Sequence, residues 1–213
     1  MKCWNCHSDT GGRPFCPGCG KIAARPPEAT HFDVFGLPRA HALDLPALEK
    51  GYRELSLKLH PDRFAQAEAR ERRLSLEQTT ALNEAYKTLK DPVRRAFYLL
   101  KLHGVDLDRD DASAQKNMPL EFLEEVMALR EALDEAMETK DLARGQAMAG
   151  DVAARRQQAL SQAVEALSAL QVAAPGGEEA ARALTKASHG LGRVRYFTRF
   201  LEQVEAFEEE ALG

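Results

Sequence analysis

The stretch Tyr52-Arg53-Glu54-Leu55-Ser56-Leu57-Lys58-Leu59-His60-Pro61-Asp62-Arg63-Phe64 decides how this chain is organised. Leu48, Tyr52, Leu55 and Leu59 recur at i, i+4, i+7 and i+11, which is one apolar face of a helix. With Asp44 as cap and Pro46 in the first turn, the pattern predicts a helix from Pro46 to His60. Pro61 disfavours helical backbone at His60 and has no N–H to continue the ladder, so His60-Pro61-Asp62 must be a turn. Lys50, Arg53 and Lys58 lie opposite the apolar face and Arg63 follows the helix end. A basic helix therefore runs into an exposed loop.

Working outward, a second helix is expected from about Arg72 to Lys90, with Leu82, Ala85, Tyr86 and Leu89 facing inward. Two long helices joined by a loop of about ten residues make an antiparallel hairpin. A third helix, Pro92 to His103, ends where Gly104 suits a C-cap. Upstream, the short apolar piece Phe32 to Leu37 can close the bundle. Downstream, after a polar stretch from Asp106 to Asn117, three more helices follow: Pro119 to Thr139, 140 to 171, and Glu178 to about Ala211. The turn Ala173-Ala174-Pro175-Gly176-Gly177 separates the last two. In the first of the three, Phe122, Val126, Leu129 and Leu133 form the stripe expected to be buried. Leu123 and Met127 fall outside it, bordered by Glu124, Glu131 and Glu135. An apolar edge beside carboxylates suits a partner; the plainer reading is a wide core stripe made soluble by glutamates. In the last helix Tyr196, Phe200 and Phe207 cluster away from the main stripe, which implies a second contact with a bundle neighbour or a partner.

All four cysteines lie in the first nineteen residues, as Cys3-x2-Cys6 and Cys16-x2-Cys19. Each CxxC can fold as a knuckle, and two knuckles supply four soft ligands in the tetrahedral set that zinc accepts. Gly18 and Gly20 are expected to provide positive-φ positions around the second knuckle, where the first has His7. A structural zinc ion is the leading reading, because so short a segment has too little core to fold unaided. Two disulfides are the bland alternative, and iron bound as in rubredoxin, giving an electron carrier, is another. Arg25-Pro26-Pro27-Glu28 reads as a stiff linker to the next domain.

The chain has 213 residues, net charge -4 and 44% hydrophobic residues, the profile of a globular protein. No apolar run approaches a membrane span and the N-terminus has no presequence pattern, so no membrane association is expected and the default compartment is cytoplasmic. The charge divides unevenly. Residues 1 to 30 carry four basic and two acidic groups, 31 to 104 carry thirteen and ten, and 105 to 213 carry twelve and twenty-one. Nothing in this balance calls for nucleic acid. Nor does the chain contain a phosphate-binding glycine loop or a nucleophile with its base, so no enzyme is expected.

The His60-Pro61-Asp62 tripeptide between two such helices resembles the J-domain signature, supported by Asn83-x-Ala85-Tyr86-x-x-Leu89 in the following helix. Phe35-Gly36-Leu37-Pro38, Leu43-Asp44, Arg95-Ala96-x-Tyr98-Leu99-Leu100 and Gly104-Val105-Asp106-Leu107 narrow the resemblance to the HscB family, J-type co-chaperones of iron–sulfur cluster assembly. The tetracysteine segment resembles that of family members with an added zinc module. The expected fold is all-α: a zinc-knuckle module (1–29), a J-domain helical hairpin (30–104) and a C-terminal three-helix bundle that binds a scaffold (105–213).

The resemblance implies that His60, Pro61 and Asp62, with Lys50, Arg53, Lys58 and Arg63, dock on an HscA-type heat-shock ATPase and stimulate its hydrolysis. It also implies that Leu123, Met127, Glu131, Glu135 and Tyr196 hold an IscU-like iron–sulfur scaffold protein. Cys3, Cys6, Cys16 and Cys19 are the expected zinc ligands. The sequence departs from the bacterial pattern at Glu124, where the family has an apolar residue, and at Ala128, where it has an acid. The remaining alternatives are a general J-protein serving unfolded clients and the iron-binding electron carrier.

Overall fold

The computed structural model describes residues 1–107 and 118–212; most of the polar stretch between Asp106 and Asn117 therefore lies outside the described residues. Seven α-helices are present among them: α1 (His31–Phe35), α2 (Leu45–Leu59), α3 (Ala69–Lys90), α4 (Pro92–Leu102), α5 (Leu120–Glu138), α6 (Leu142–Val172) and α7 (Glu178–Leu212). β-Structure among the described residues is limited to two isolated antiparallel bridges, Lys2 with Asp9 and Phe15 with Ile22. The chain forms two compact units, Met1–Arg95 and Ala96–Gly213, with the boundary inside α4.

In the first unit the local signals operate as the sequence predicts. Asp44 caps α2 by accepting the Ala47 N–H at 3.0 Å. Thr30 and Asp33 form a reciprocal capping box at the start of α1. α2 and α3 pair as a hairpin around Leu48, Leu59, Leu74, Leu82, Ala85 and Leu89, all buried. Tyr86 is only half-buried and stacks on Tyr52 at 4.0 Å between ring centroids, while the Tyr52 hydroxyl donates to Asn83 Oδ1 at 3.0 Å. α3 begins at Ala69, three residues before the expected Arg72. No side chain caps that end, so nothing in the local sequence marks it.

The cysteine segment is not a separate appendage. Ile22 is fully buried and joins Leu59, Leu74 and Leu82 in one core cluster, against which Trp4 and Phe15 also pack. Gln78 donates to the Ala23 carbonyl at 2.7 Å, and Lys21 pairs with the buried Glu71 at 2.7 Å. Beyond the Pro26-Pro27 turn the chain enters α1 directly.

The second unit is dominated by the α6–α7 pair, with α5 laid against it. Small residues set the approach: Gly190 on α7 faces Ala163 and the Ala159 carbonyl on α6 so closely that an added Cβ would sit 2.9 Å from the Ala163 Cβ. Phe200 and Phe207, with Val204, are buried, so the aromatic cluster on α7 serves the bundle itself. Tyr196 ties α7 to α5: its hydroxyl donates to the Val126 carbonyl at 3.1 Å and its ring meets Phe122 edge-on at 5.8 Å. Arg155 of α6 pairs with Glu125 of α5 at 2.7 Å. No helix among the described residues is long and apolar enough to cross a membrane.

Candidate metal centre and docking faces

The two cysteine knuckles share one hydrogen-bond pattern. His7 N–H donates to the Cys3 carbonyl as Gly20 N–H does to that of Cys16; Cys3 N–H reaches Ser8 as Cys16 N–H reaches Lys21. The amides of Asn5 and Gly18 point at the Cys3 and Cys16 sulfurs, each at 3.4 Å. This repeat requires the left-handed backbone at Gly20 (φ 73°), and His7 adopts it as well (φ 61°). Gly18, expected to share that conformation, has none of it. It is small for another reason: an added Cβ would lie 2.8 Å from Ser8 Oγ and 3.5 Å from Cys6 Sγ.

The four sulfurs lie within 4.8 Å of one another. The Cys3–Cys19 separation is 3.7 Å and the Cys6–Cys16 separation 3.5 Å. A disulfide needs about 2.05 Å, whereas thiolates at about 2.3 Å from one tetrahedral ion stand roughly 3.8 Å apart. The cysteines are free, and the donor set fits a single metal ion. The surroundings favour thiolate at some positions. The Ser8 hydroxyl and amide hold the Cys6 thiol down at about 6, and backbone amides lower Cys3. Burial pushes Cys16 up to about 11 against its own backbone donors, a cost that a bound cation offsets.

At the other end of the same core, the α2 terminus is held from α3. Ser75 and Thr79 hydroxyls both donate to the Leu59 carbonyl, at 2.6 and 3.0 Å, satisfying a group left without a helical partner because the Arg63 N–H turns to the His60 carbonyl instead. The chain then forms a 3₁₀ turn over Pro61–Phe64, in which His60 Nδ1 accepts the Asp62 N–H at 3.3 Å. The Asp62 carboxylate stands out from this turn with 89% of its side chain exposed. Lys50, Lys58 and Arg63 are exposed and make no ion pair among the described residues, whereas Arg53 pairs with Glu49 at 2.5 Å. The His-Pro-Asp turn is thus rigid at its base, which is Leu59 in the core, and exposed at its acidic tip, where the carboxylate lies 3.5 Å from His60 Nδ1.

In the second unit, Leu123 and Met127 are exposed, Met127 by 62%, rather than part of a wide core stripe. Glu124, Ala128, Glu131 and Glu135 are exposed as well, with Glu135 engaged by Arg144 at 2.7 Å. Tyr196 lies behind this edge, half-buried, with its hydroxyl used internally. Burial holds its phenol above the usual range.

Known proteins resemble this chain in sequence and fold. A DnaJ-domain model matches residues 30–98, and a model described as the HSCB C-terminal oligomerisation domain matches residues 118–205. The structure of a chaperone HscB from Vibrio cholerae is 30% identical, covering 86% of this chain and 99% of that one, with a TM-score of 0.66. The chain belongs to the HscB co-chaperone family. That is a co-chaperone family and not an enzyme family. The human co-chaperone HscB, at 29% identity and a TM-score of 0.79, covers 97% of this chain and 98% of its own. HscB homologues from Paraburkholderia xenovorans and Burkholderia mallei are 42% identical over 113 residues; that match spans 53% of this chain and 63% of the length of those relatives. The yeast Jac1 co-chaperone, 23% identical with a TM-score of 0.62, shares the fold.

The HscB resemblance drawn from the motifs is therefore correct, as is the all-α fold with a tetracysteine front. Sequence reasoning missed the docking of that front onto the J-domain through Ile22, Lys21 and Gln78. A single apolar residue in an irregular segment has no period to reveal it.

Proposed function

We propose that this HscB-family chain binds an IscU-like iron–sulfur scaffold protein and delivers it to an HscA-type heat-shock ATPase, stimulating that ATPase. The observation that carries the proposal is the exposed Asp62 on a self-capped turn, in a chain of this family. A carboxylate held in fixed geometry makes a strong charge-assisted contact with an arginine of the chaperone. His60 and Pro61 shape the turn. Lys50, Lys58 and Arg63, with Arg53 partly neutralised by Glu49, offer a positive surface that speeds encounter with an acidic patch.

On the other unit, Leu123 and Met127 give the scaffold an apolar anchor and Glu131 and Glu135 a charged rim, while Tyr196 braces the helix that carries them. The working division is residues 1–29 for metal, 30–104 for the chaperone and 105–213 for the scaffold, in a cytoplasmic setting. Cys3, Cys6, Cys16 and Cys19 hold zinc in this reading, and the ion supplies a structural cross-link.

Purified protein is expected to stimulate the ATPase of its chaperone, and further with scaffold present. Asp62→Asn should abolish that stimulation and leave the far-ultraviolet circular dichroism unchanged. A wild-type protein without any stimulation removes the proposal. Metal analysis should return one zinc per chain with no visible absorption band; a coloured iron site instead favours the electron carrier.

A further inference from the structure

The last helix changes character along its length. From Ala180 to Leu201 it carries Arg182, Lys186, Arg193, Arg195 and Arg199 and no carboxylate, inside a region whose acidic residues outnumber basic ones by twenty-one to twelve. Arg182, Lys186, His189 and Arg193 stand at i, i+4, i+7 and i+11, so they share one face of α7. Tyr196 and Phe200 continue the same face. Toward the C-terminus that face is aromatic: Phe200 is buried and Tyr196 is bonded to α5.

Ahead of the start of α5 the same face opens as a cleft of about 500 Å³ between α6 and α7, bounded by Pro119 and Gln162 and lined by the four basic side chains. Among the described residues no carboxylate lines it. Among the described residues the side chains of Arg182, Lys186 and His189 make no hydrogen bond or ion pair. Arg193 lies at the junction, its guanidinium 5.0 Å from the centre of the Phe122 ring, which fixes the side chain and leaves its N–H edges for a ligand.

Three cations and an imidazole gathered in one cleft, with no carboxylate among the described residues that line it, repel one another. Carboxylates are abundant elsewhere in this unit, and none of the described ones lines the cleft. Among the described residues this charge is unmet, and an acidic segment is its chemical complement. Eleven residues of helix set the basic stripe at about 16 Å, the reach of roughly five residues of extended chain. A stripe of that length suits several carboxylates along a peptide better than one compact anion. It also begins at Phe122, next to Leu123 on the apolar edge.

We infer that the Arg182–Lys186–His189–Arg193 cleft receives an acidic peptide segment of the same scaffold protein whose apolar part sits on Leu123 and Met127. The inference rests on the scaffold reading above. The cleft gives that interface a salt-dependent component and a fixed direction along α7, since the apolar anchor lies at one end of the stripe only.

The test uses the full-length, metal-loaded protein and its purified scaffold, with affinity measured by calorimetry between about 50 and 300 mM salt, a range over which screening changes strongly. The double variant Arg182→Glu/Lys186→Glu is expected to weaken binding about tenfold at low salt, the scale of a lost charge-pair contribution, and to flatten the salt dependence. Scaffold-free stimulation of the chaperone should be unchanged in it. Met127→Ala should weaken binding at all salt concentrations and keep the slope. Wild-type affinity and slope in the charge-reversed protein, with Met127→Ala still impaired, overturn the cleft and leave the apolar face standing. No scaffold binding by wild type overturns both. A change in sedimentation of the charge-reversed protein, with its scaffold affinity intact, assigns the cleft to a second copy of the chain and overturns the inference as well.

Discussion

At Gly190 and Gly150 the same substitution should have opposite signs. Gly190 sits where α7 meets α6, and an added Cβ would lie 2.9 Å from the Ala163 Cβ and 3.2 Å from the Ala159 carbonyl. Both obstacles belong to helix backbone or to a residue with no rotamer to yield, so the helices themselves must separate. Overpacking of this kind costs about 1–3 kcal/mol, and replacing a helical glycine returns about 1 kcal/mol of propensity. Gly190→Ala is therefore expected to destabilise the chain by about 1 kcal/mol on balance. Gly150, also inside α6, has nothing within 4 Å of its missing Cβ. Gly150→Ala keeps the propensity gain alone and should stabilise by about 0.5–1 kcal/mol. Urea unfolding of the two variants beside wild type decides the matter. A Gly190→Ala midpoint at or above wild type would show that the α6–α7 contact yields more easily than its geometry implies.

Among the elements, the segment Lys21–Ala23 links the cysteine knuckles to the His-Pro-Asp turn. Its Ile22 shares a core cluster with Leu59, the residue immediately before His60, and burying such a side chain contributes about 1.5–3 kcal/mol. So short a knuckle pair has little core of its own; on the reading that its cysteines hold a structural ion, metal removal should release Ile22 and thin the core beneath the turn. Chelation is expected to lower the unfolding temperature of the whole first unit and to speed amide exchange around Leu59 to Phe64, while α6 and α7 stay protected. Ile22→Ala with metal bound should reproduce part of this, at about 2–5 kcal/mol. An unchanged melt after complete metal removal would mean that the J-domain carries its own stability. This coupling was hidden in the sequence for a physical reason. Leu48, Leu59, Leu82 and Leu89 announce themselves because helix period 3.6 repeats a local rule, and Asp44, Pro61 and Gly20 because capping and φ are local too. Ile22 and the Lys21–Glu71 pair depend on contacts about fifty residues apart, which no local pattern encodes.

For the whole molecule, the near-balance of charge is the sum of two different surfaces. The proposed chaperone residues, from Lys50 to Arg63, all lie in the unit Met1–Arg95, and the proposed scaffold residues, from Leu123 to Tyr196, all lie in Ala96–Gly213. The excess of acid in the second half was legible from composition, because counting charges needs no structure. The basic stripe along α7 is legible too, from its helical spacing; that it lines an open cleft is not, since no local pattern shows how much of α7 the neighbouring helices cover. The division into units carries its own prediction. No proposed contact residue is shared, so single lesions should remove single activities. Asp62→Asn is expected to keep scaffold affinity within about twofold of wild type, the error range for independent sites. Met127→Ala should keep scaffold-free ATPase stimulation and lose only the increment that scaffold adds. Titrating both variants against scaffold and chaperone separately gives four numbers, two expected near wild type and two reduced. If Asp62→Asn instead lowered scaffold affinity tenfold, one partner's site would draw on both units, and the assignment of one partner to each unit would be wrong.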